Sequence, residues 1–146
     1  MELKDLIKES TIKLELVSTD KNSVLDEMIE LLEDDKVVTD KNKFKEDILA
    51  REELSNTGIG FEIAIPHAKS KAVKEPRIAI GLAKNGIDYG SIDGQDIKMI
   101  FMIAVNEEQS DLHLRALANL SRKLMHTEFR EGILNCKSKK EIIYML

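Results

Sequence analysis

Of the three histidines in this chain, His67, His113 and His126, one stands where a nucleophile could work. His67 follows directly on Phe61-Glu62-Ile63-Ala64-Ile65-Pro66, in which Phe61, Ile63 and Ile65 alternate with Glu62 and Ala64. That period of two predicts a strand with one face buried. A proline cannot donate to a sheet ladder, so Pro66 is expected where the strand leaves the sheet, with His67 at the rim. Upstream, Arg51 offers a planar, permanently charged fork suited to phosphate or carboxylate. Thr57 adds a hydroxyl, and Gly58 and Gly60 let backbone amides approach an anion. A neutral imidazole with an arginine and small donors nearby suits phosphoryl capture: the ring attacks phosphorus and the donors hold the oxygens as charge shifts. Arg51 also has a plainer use, as a solvated helix-end charge paired with Glu52 or Glu53.

His113 shares an apolar helical stripe with Leu117, Leu120 and Leu124, close to the start of that helix. The macrodipole there disfavours an imidazolium and favours a neutral ring. The same helix follows the apolar run Ile97–Val105 directly, so His113 also lies near a sheet rim, either the rim that carries His67 or a plain core edge where one hydrogen bond ties the ring. His126 falls near a helix end, where a cation is welcome, and receives no role.

Other chemistries lack their residues. There is no His-Glu-x-x-His motif and no cysteine pair to hold zinc. Thr57-Gly58-Ile59-Gly60 is not followed by the Gly-Lys-Ser/Thr of a nucleotide-binding loop. No cofactor and no metal are expected. The lone cysteine, Cys136, cannot form an intramolecular disulfide and fits a reducing compartment. A net charge of −5 argues against a nucleic-acid partner, which would call for a basic surplus, and suits a basic protein surface instead. With no apolar run of about 18 residues and no signal-peptide core, a cytoplasmic chain is expected.

The elements that would position these groups can be read in order. Residues 11–17 alternate as a strand. Asp20 caps a helix whose stripe is Val24, Leu25, Met28, Ile29, Leu31 and Leu32. Asp40 caps a second helix through Phe44, Ile48 and Leu49 to about Arg51. Thr57–Gly60 is expected as the turn into the strand before His67, and residues 68–76 as a polar loop after it. Residues 77–84 form a strand, and Asn85-Gly86 predicts a tight hairpin with a return strand beginning at Ile87. The apolar run Ile97–Val105 reads as a strand covered on both faces. The remainder is helical, with Leu112–Met125, a short helix around Phe129 and Ile133, and a last one opened by a capping box at Ser138–Glu141. At 146 residues this is one α/β domain, a layered sandwich with a mixed β-sheet flanked by helices.

The segment Arg51-Glu52-x-x-Ser55-x-Thr57-Gly58-Ile59-Gly60…Ile63-Ala64-Ile65-Pro66-His67-Ala68 resembles the active-site signature of enzyme IIA domains of the bacterial phosphotransferase system. The likeness is to the fructose–mannitol type and above all its fructose branch. It extends to the Asp111-Leu112-His113-Leu114 helix and the tail from Phe129, so that residues 1–146 would form one such domain. The resemblance implies that His67 is the phosphoacceptor, through Nε2, with His113 the second active-site histidine. It makes Arg51 a residue that grips phosphate or positions His67, and Thr57 a lesser phosphate donor. It implies HPr as donor, a cysteine on a IIB domain as acceptor, and the membrane component IIC only indirectly. It further implies uptake of a sugar, with fructose favoured over mannitol or another hexitol. A free-standing IIA, or a piece of a longer fused transporter, is expected. A nitrogen-type regulatory IIA and a pure interaction module remain the alternatives.

Overall fold

The computed structural model describes residues 2–146. Its elements are β1 (Ile12–Lys13), α1 (Lys21–Asp34), α2 (Lys41–Leu54), β2 (Gly58–Gly60), β3 (Ile63–Ala64) and β4 (His67–Lys69). They are followed by β5 (Arg77–Ile87), β6 (Ile97–Val105), α3 (Ser110–Leu124), α4 (Thr127–Leu134) and α5 (Lys139–Met145). The six strands form one mixed sheet in the order β1-β5-β6-β3-β2, and β4 also pairs with β6. β5 and β6 run antiparallel as the central ladder, β1 lies parallel to β5, and β3 and β4 lie parallel to β6.

The sheet is covered on both faces, which is why β6 is apolar throughout. Its Ile100, Met102 and Ala104 pack with Val24, Leu25, Met28, Leu32, Phe44 and Ile48 of α1 and α2. Its alternate residues Met99, Phe101, Ile103 and Val105 pack with Leu120, Leu124, Ile133 and Ile142 of α3 to α5. The helix starts follow the predicted capping chemistry. Asp20 accepts from the Ser23 N–H and Asp40 from the Lys43 N–H. Ser138 Oγ accepts from the Glu141 N–H, while Glu141 reaches the Lys137 N–H, one residue earlier than a capping box requires.

The segment before His67 departs from expectation. Thr57–Gly60 is not a turn: Gly58–Gly60 is itself a strand, antiparallel to β3. The reversal falls at Phe61-Glu62, which hold φ values of +55° and +64° after Gly60 at +91°. Two successive left-handed residues make a tight hairpin turn, so Phe61 points outward and is 62% exposed instead of filling the core. Its ring is covered on one side by the Arg130 guanidinium, 4.1 Å from the ring centroid. Nor does Pro66 end the sheet. Its carbonyl accepts from the Ile103 N–H, and β4 continues the ladder with His67 opposite Ile103. A proline fits because β4 is an edge strand that loses nothing by lacking that donor.

Elsewhere, residues 68 and 69 belong to β4 rather than to a loop, and Ala72 and Val73 are buried, Val73 bridging to Val38. Asn85-Gly86 makes a bulge instead of a hairpin: Gly86 has φ +84°, and Leu82 to Ile87 spans only Met99 to Ile97 on β6. The chain then passes the residues just before α1, where Asp88 bridges to Asp20, so no return strand begins at Ile87. The strand expected over 11–17 shortens to Ile12–Lys13, with Leu16 N–H adding one further bond to the Leu82 carbonyl.

Candidate active site

The site forms where β4, the N-terminal end of α3 and the C-terminal end of α2 meet. His67 opens β4 and is only 7% exposed. Its Nδ1 lies 2.8 Å from the Ile65 carbonyl oxygen. A carbonyl can only accept, so Nδ1 carries the proton of the neutral ring and Nε2 keeps its lone pair. Burial lowers the pKa of His67, and the Arg51 guanidinium works in the same direction, against the Ile65 bond and Glu52. The result is a neutral imidazole whose free nitrogen is Nε2.

His113 lies on the buried side of α3, in its first turn, with Ala116, Leu120 and Leu124. Its ring stands 5.0 Å from that of His67, centroid to centroid, tilted by 43°. The rim relation between the two histidines, open in the sequence, is thus settled as direct contact. Burial and then the neighbouring His67, Lys69 and Arg51 push the His113 pKa down to about 4. Its Nε2 is buried without a hydrogen-bond partner. A buried polar atom left unpaired calls for an explanation. Lys69, two residues after His67 on the same strand, reaches Ser110 at the start of α3, with Nζ 3.4 Å from Oγ.

Arg51 sits in the last turn of α2 and donates to the Ser55 carbonyl (3.1 Å) and hydroxyl (3.4 Å). It pairs with neither Glu52 nor Glu53, and its charge is felt at both imidazoles. Thr57 is placed differently from expectation. It is 3% exposed, and its hydroxyl donates to Glu52, with the Tyr89 hydroxyl oxygen 2.9 Å away. A hydroxyl so committed is a structural tie and does not offer itself to a phosphate. His126 lies exposed at the start of α4 and takes no part.

Sequence reasoning passed over Glu52 and Tyr89. The Glu52 side chain is 5% exposed, and its carboxylate accepts from the Thr57 N–H (3.0 Å), the Thr57 hydroxyl and the Tyr89 hydroxyl (2.5 Å). Lys21 Nζ stands 3.4 Å from Oε2, the oxygen that also accepts from the Thr57 N–H, and over the Tyr89 ring. The signal was the acid next to Arg51; its partner Tyr89 comes from a distant loop.

A sequence profile described as phosphoenolpyruvate-dependent sugar phosphotransferase system, EIIA 2, matches residues 5–146. The chain belongs to this family. A fructose-specific EIIABC component from Bacillus subtilis is 45% identical over 143 residues, 98% of this chain. The chain spans only 22% of that protein's length. A fructose-specific EIIA component from Haloferax volcanii is 37% identical over 131 residues, 90% of this chain and 85% of that one. These relatives place the chain in the fructose branch of the IIA family. Among solved structures, the nitrogen regulatory protein IIA-Ntr from Neisseria meningitidis superposes with a TM-score of 0.90. It is 26% identical and covers 98% of this chain and 97% of its own. The layered sandwich with a mixed sheet is therefore the IIA fold, and the chain is a phosphotransferase-system component. Among the described residues no helix is long and apolar enough to cross a membrane.

Proposed function

We propose that this chain, as one IIA domain over residues 1–146, carries a phosphoryl group on His67 Nε2 between HPr and a IIB domain during sugar uptake. The observation that supports this most directly is the Nδ1 contact to the Ile65 carbonyl, which leaves Nε2 as the one nucleophilic nitrogen of His67. In the accepting step the Nε2 lone pair attacks phosphorus, a P–N bond forms, and the bond from phosphorus to its donor atom on HPr breaks. In the delivering step a IIB cysteine thiolate attacks the same phosphorus and Nε2 leaves with its electron pair. No proton need leave His67 in either step, because the proton on Nδ1 stays with Ile65.

His113 and Arg51 hold the transferred group. An Nε2–H on neutral His113 donates to a phosphoryl oxygen, satisfying an atom otherwise buried without a partner. Arg51 supplies the fixed positive charge. A neutral donor and one cation steady the group without trapping it, as a nearly balanced exchange requires. IIC enters only through IIB, and fructose is the sugar that the two fructose-specific relatives support. The likeness to a nitrogen regulatory IIA supports a second reading, in which the same phosphohistidine governs binding to other proteins. The 45% identity to a fructose EIIABC component favours transport.

Intact-mass spectrometry after incubation with enzyme I, HPr and phosphoenolpyruvate tests the proposal. The expected result is one acid-labile adduct that disappears in His67→Ala and leaves when a fructose-type IIB is added. No adduct on folded wild-type protein overturns the carrier reading; an adduct that no sugar-specific IIB discharges favours the regulatory one.

A further inference from the structure

We propose that Glu52 is a positioning residue of this site: its buried carboxylate fixes both the end of α2 that bears Arg51 and the chain that orients His67. The assignment rests on the carrier reading and goes beyond it. The links can be followed atom by atom. Glu52 Oε2 accepts from the Thr57 N–H at 3.0 Å. The Thr57 carbonyl accepts from the Ile65 N–H at 2.9 Å. The Ile65 carbonyl accepts from His67 Nδ1 at 2.8 Å. Three consecutive bonds therefore lead from the carboxylate to the imidazole.

The last carbonyl in this series can only accept, so it holds the imidazole proton on Nδ1. At the other end the carboxylate is gripped from three directions: Thr57, the Tyr89 hydroxyl at 2.5 Å, and Lys21 Nζ at 3.4 Å. These come from the residue just before β2, from the loop after β5 and from the start of α1, so Glu52 ties three separate stretches of the chain together. A carboxylate satisfied in this way is a rigid anchor, since a buried charge cannot give up its partners cheaply. Arg51, its neighbour in α2, is thereby set at a fixed place, with its guanidinium turned back onto Ser55. Glu52 also opposes Arg51 electrostatically at His67, keeping the imidazole more basic than Arg51 alone would leave it.

The test uses Glu52→Gln and Tyr89→Phe in the full chain, with phosphoryl transfer from HPr charged by enzyme I and phosphoenolpyruvate. Stability and the His67 titration, followed by imidazole NMR, are measured alongside. Glu52→Gln should fold, accept the phosphoryl group about tenfold or more slowly at saturating HPr, and titrate His67 at lower pH than the wild type. Tyr89→Phe keeps the charge and loses one bond, so it should slow transfer about threefold and leave the titration in place. A purely structural carboxylate would lower stability in both variants without moving the rate per folded molecule, and that result overturns the assignment whatever the His67 titration does. Should Glu52→Gln fail to fold, a Tyr89→Phe protein of wild-type rate overturns it as well. Wild-type protein that takes no phosphoryl group in the same run strikes the carrier reading itself; wild-type transfer beside unaltered variants strikes only Glu52.

Discussion

His113→Gln should remove a large part of the acid sensitivity of this fold. In the folded chain His113 is 8% exposed, and its pKa is lowered from 6.5 to about 4 by burial and by neighbouring charge. Unfolding returns it to the ordinary value. Between those two values the unfolded chain binds a proton that the folded chain refuses, so stability is full above the unfolded pKa and drains away as pH falls. At pH 4.5 the two-pKa linkage relation gives a loss of about 2–3 kcal/mol from this one group, most of it between pH 6.5 and 4.5. Glutamine has similar bulk, stays neutral and keeps an N–H donor, so it should leave stability near neutrality within about 1 kcal/mol. Urea unfolding of wild type and His113→Gln at pH 7 and pH 4.5 measures the difference of differences, in which all distant groups cancel. A repeat of both in a His67→Ala background removes the neighbour with which His113 titrates. The wild type should lose about 2–3 kcal/mol more than the variant over this interval. Equal losses, or an NMR titration of His113 near 6.5, would refute the reasoning that burial keeps this ring neutral and available as a donor.

Two further outcomes concern the scaffold. Glu27 is buried but is held well below the carboxylate range, at about 2, by Lys13, the Ser18 hydroxyl and the Val17 and Ser18 amides. Its contribution is present above pH 4.5 and lost as pH falls toward 2; discounted for the solvated Lys13, Glu27→Gln should cost about 2 kcal/mol at pH 7 and progressively less by pH 3, read by urea unfolding. Gly58 leaves no room for a side chain: a Cβ there would lie 2.2 Å from Ser91 Oγ. Gly58→Ala should therefore cost about 1–3 kcal/mol, and Ser91→Gly in the same chain should recover most of it.

What was legible in the sequence was what local chemistry decides. Asp20, Asp40 and Ser138 announced their helices because a capping side chain acts within three residues. The β6 run announced a two-sided strand because both of its faces are covered. The stretch around His67 misled for the opposite reason. Phe61 continues an apolar alternation, yet two left-handed residues turn the chain there, and neither is glycine. Asn85-Gly86 carries the strongest local hairpin signal, but its hairpin would have competed with the long β5–β6 ladder, and the ladder prevailed with a bulge. Of the site, His67, His113 and Arg51 were visible as chemically capable residues. The meeting of the two histidines was not, because it depends on how α3 crosses the sheet. Thr57 was misjudged because its hydroxyl is spent on Glu52 and Tyr89, 32 positions away in the case of Tyr89.

The central claim is that His67 presents Nε2, and only Nε2, as its nucleophile. Long-range proton–nitrogen NMR of the imidazoles at pH 7, before and after phosphorylation, tests it most directly. The account predicts a proton resident on His67 Nδ1 in the free protein and phosphorus coupled to Nε2 in the charged one. A resident proton on Nε2, or phosphorus on Nδ1, would contradict it.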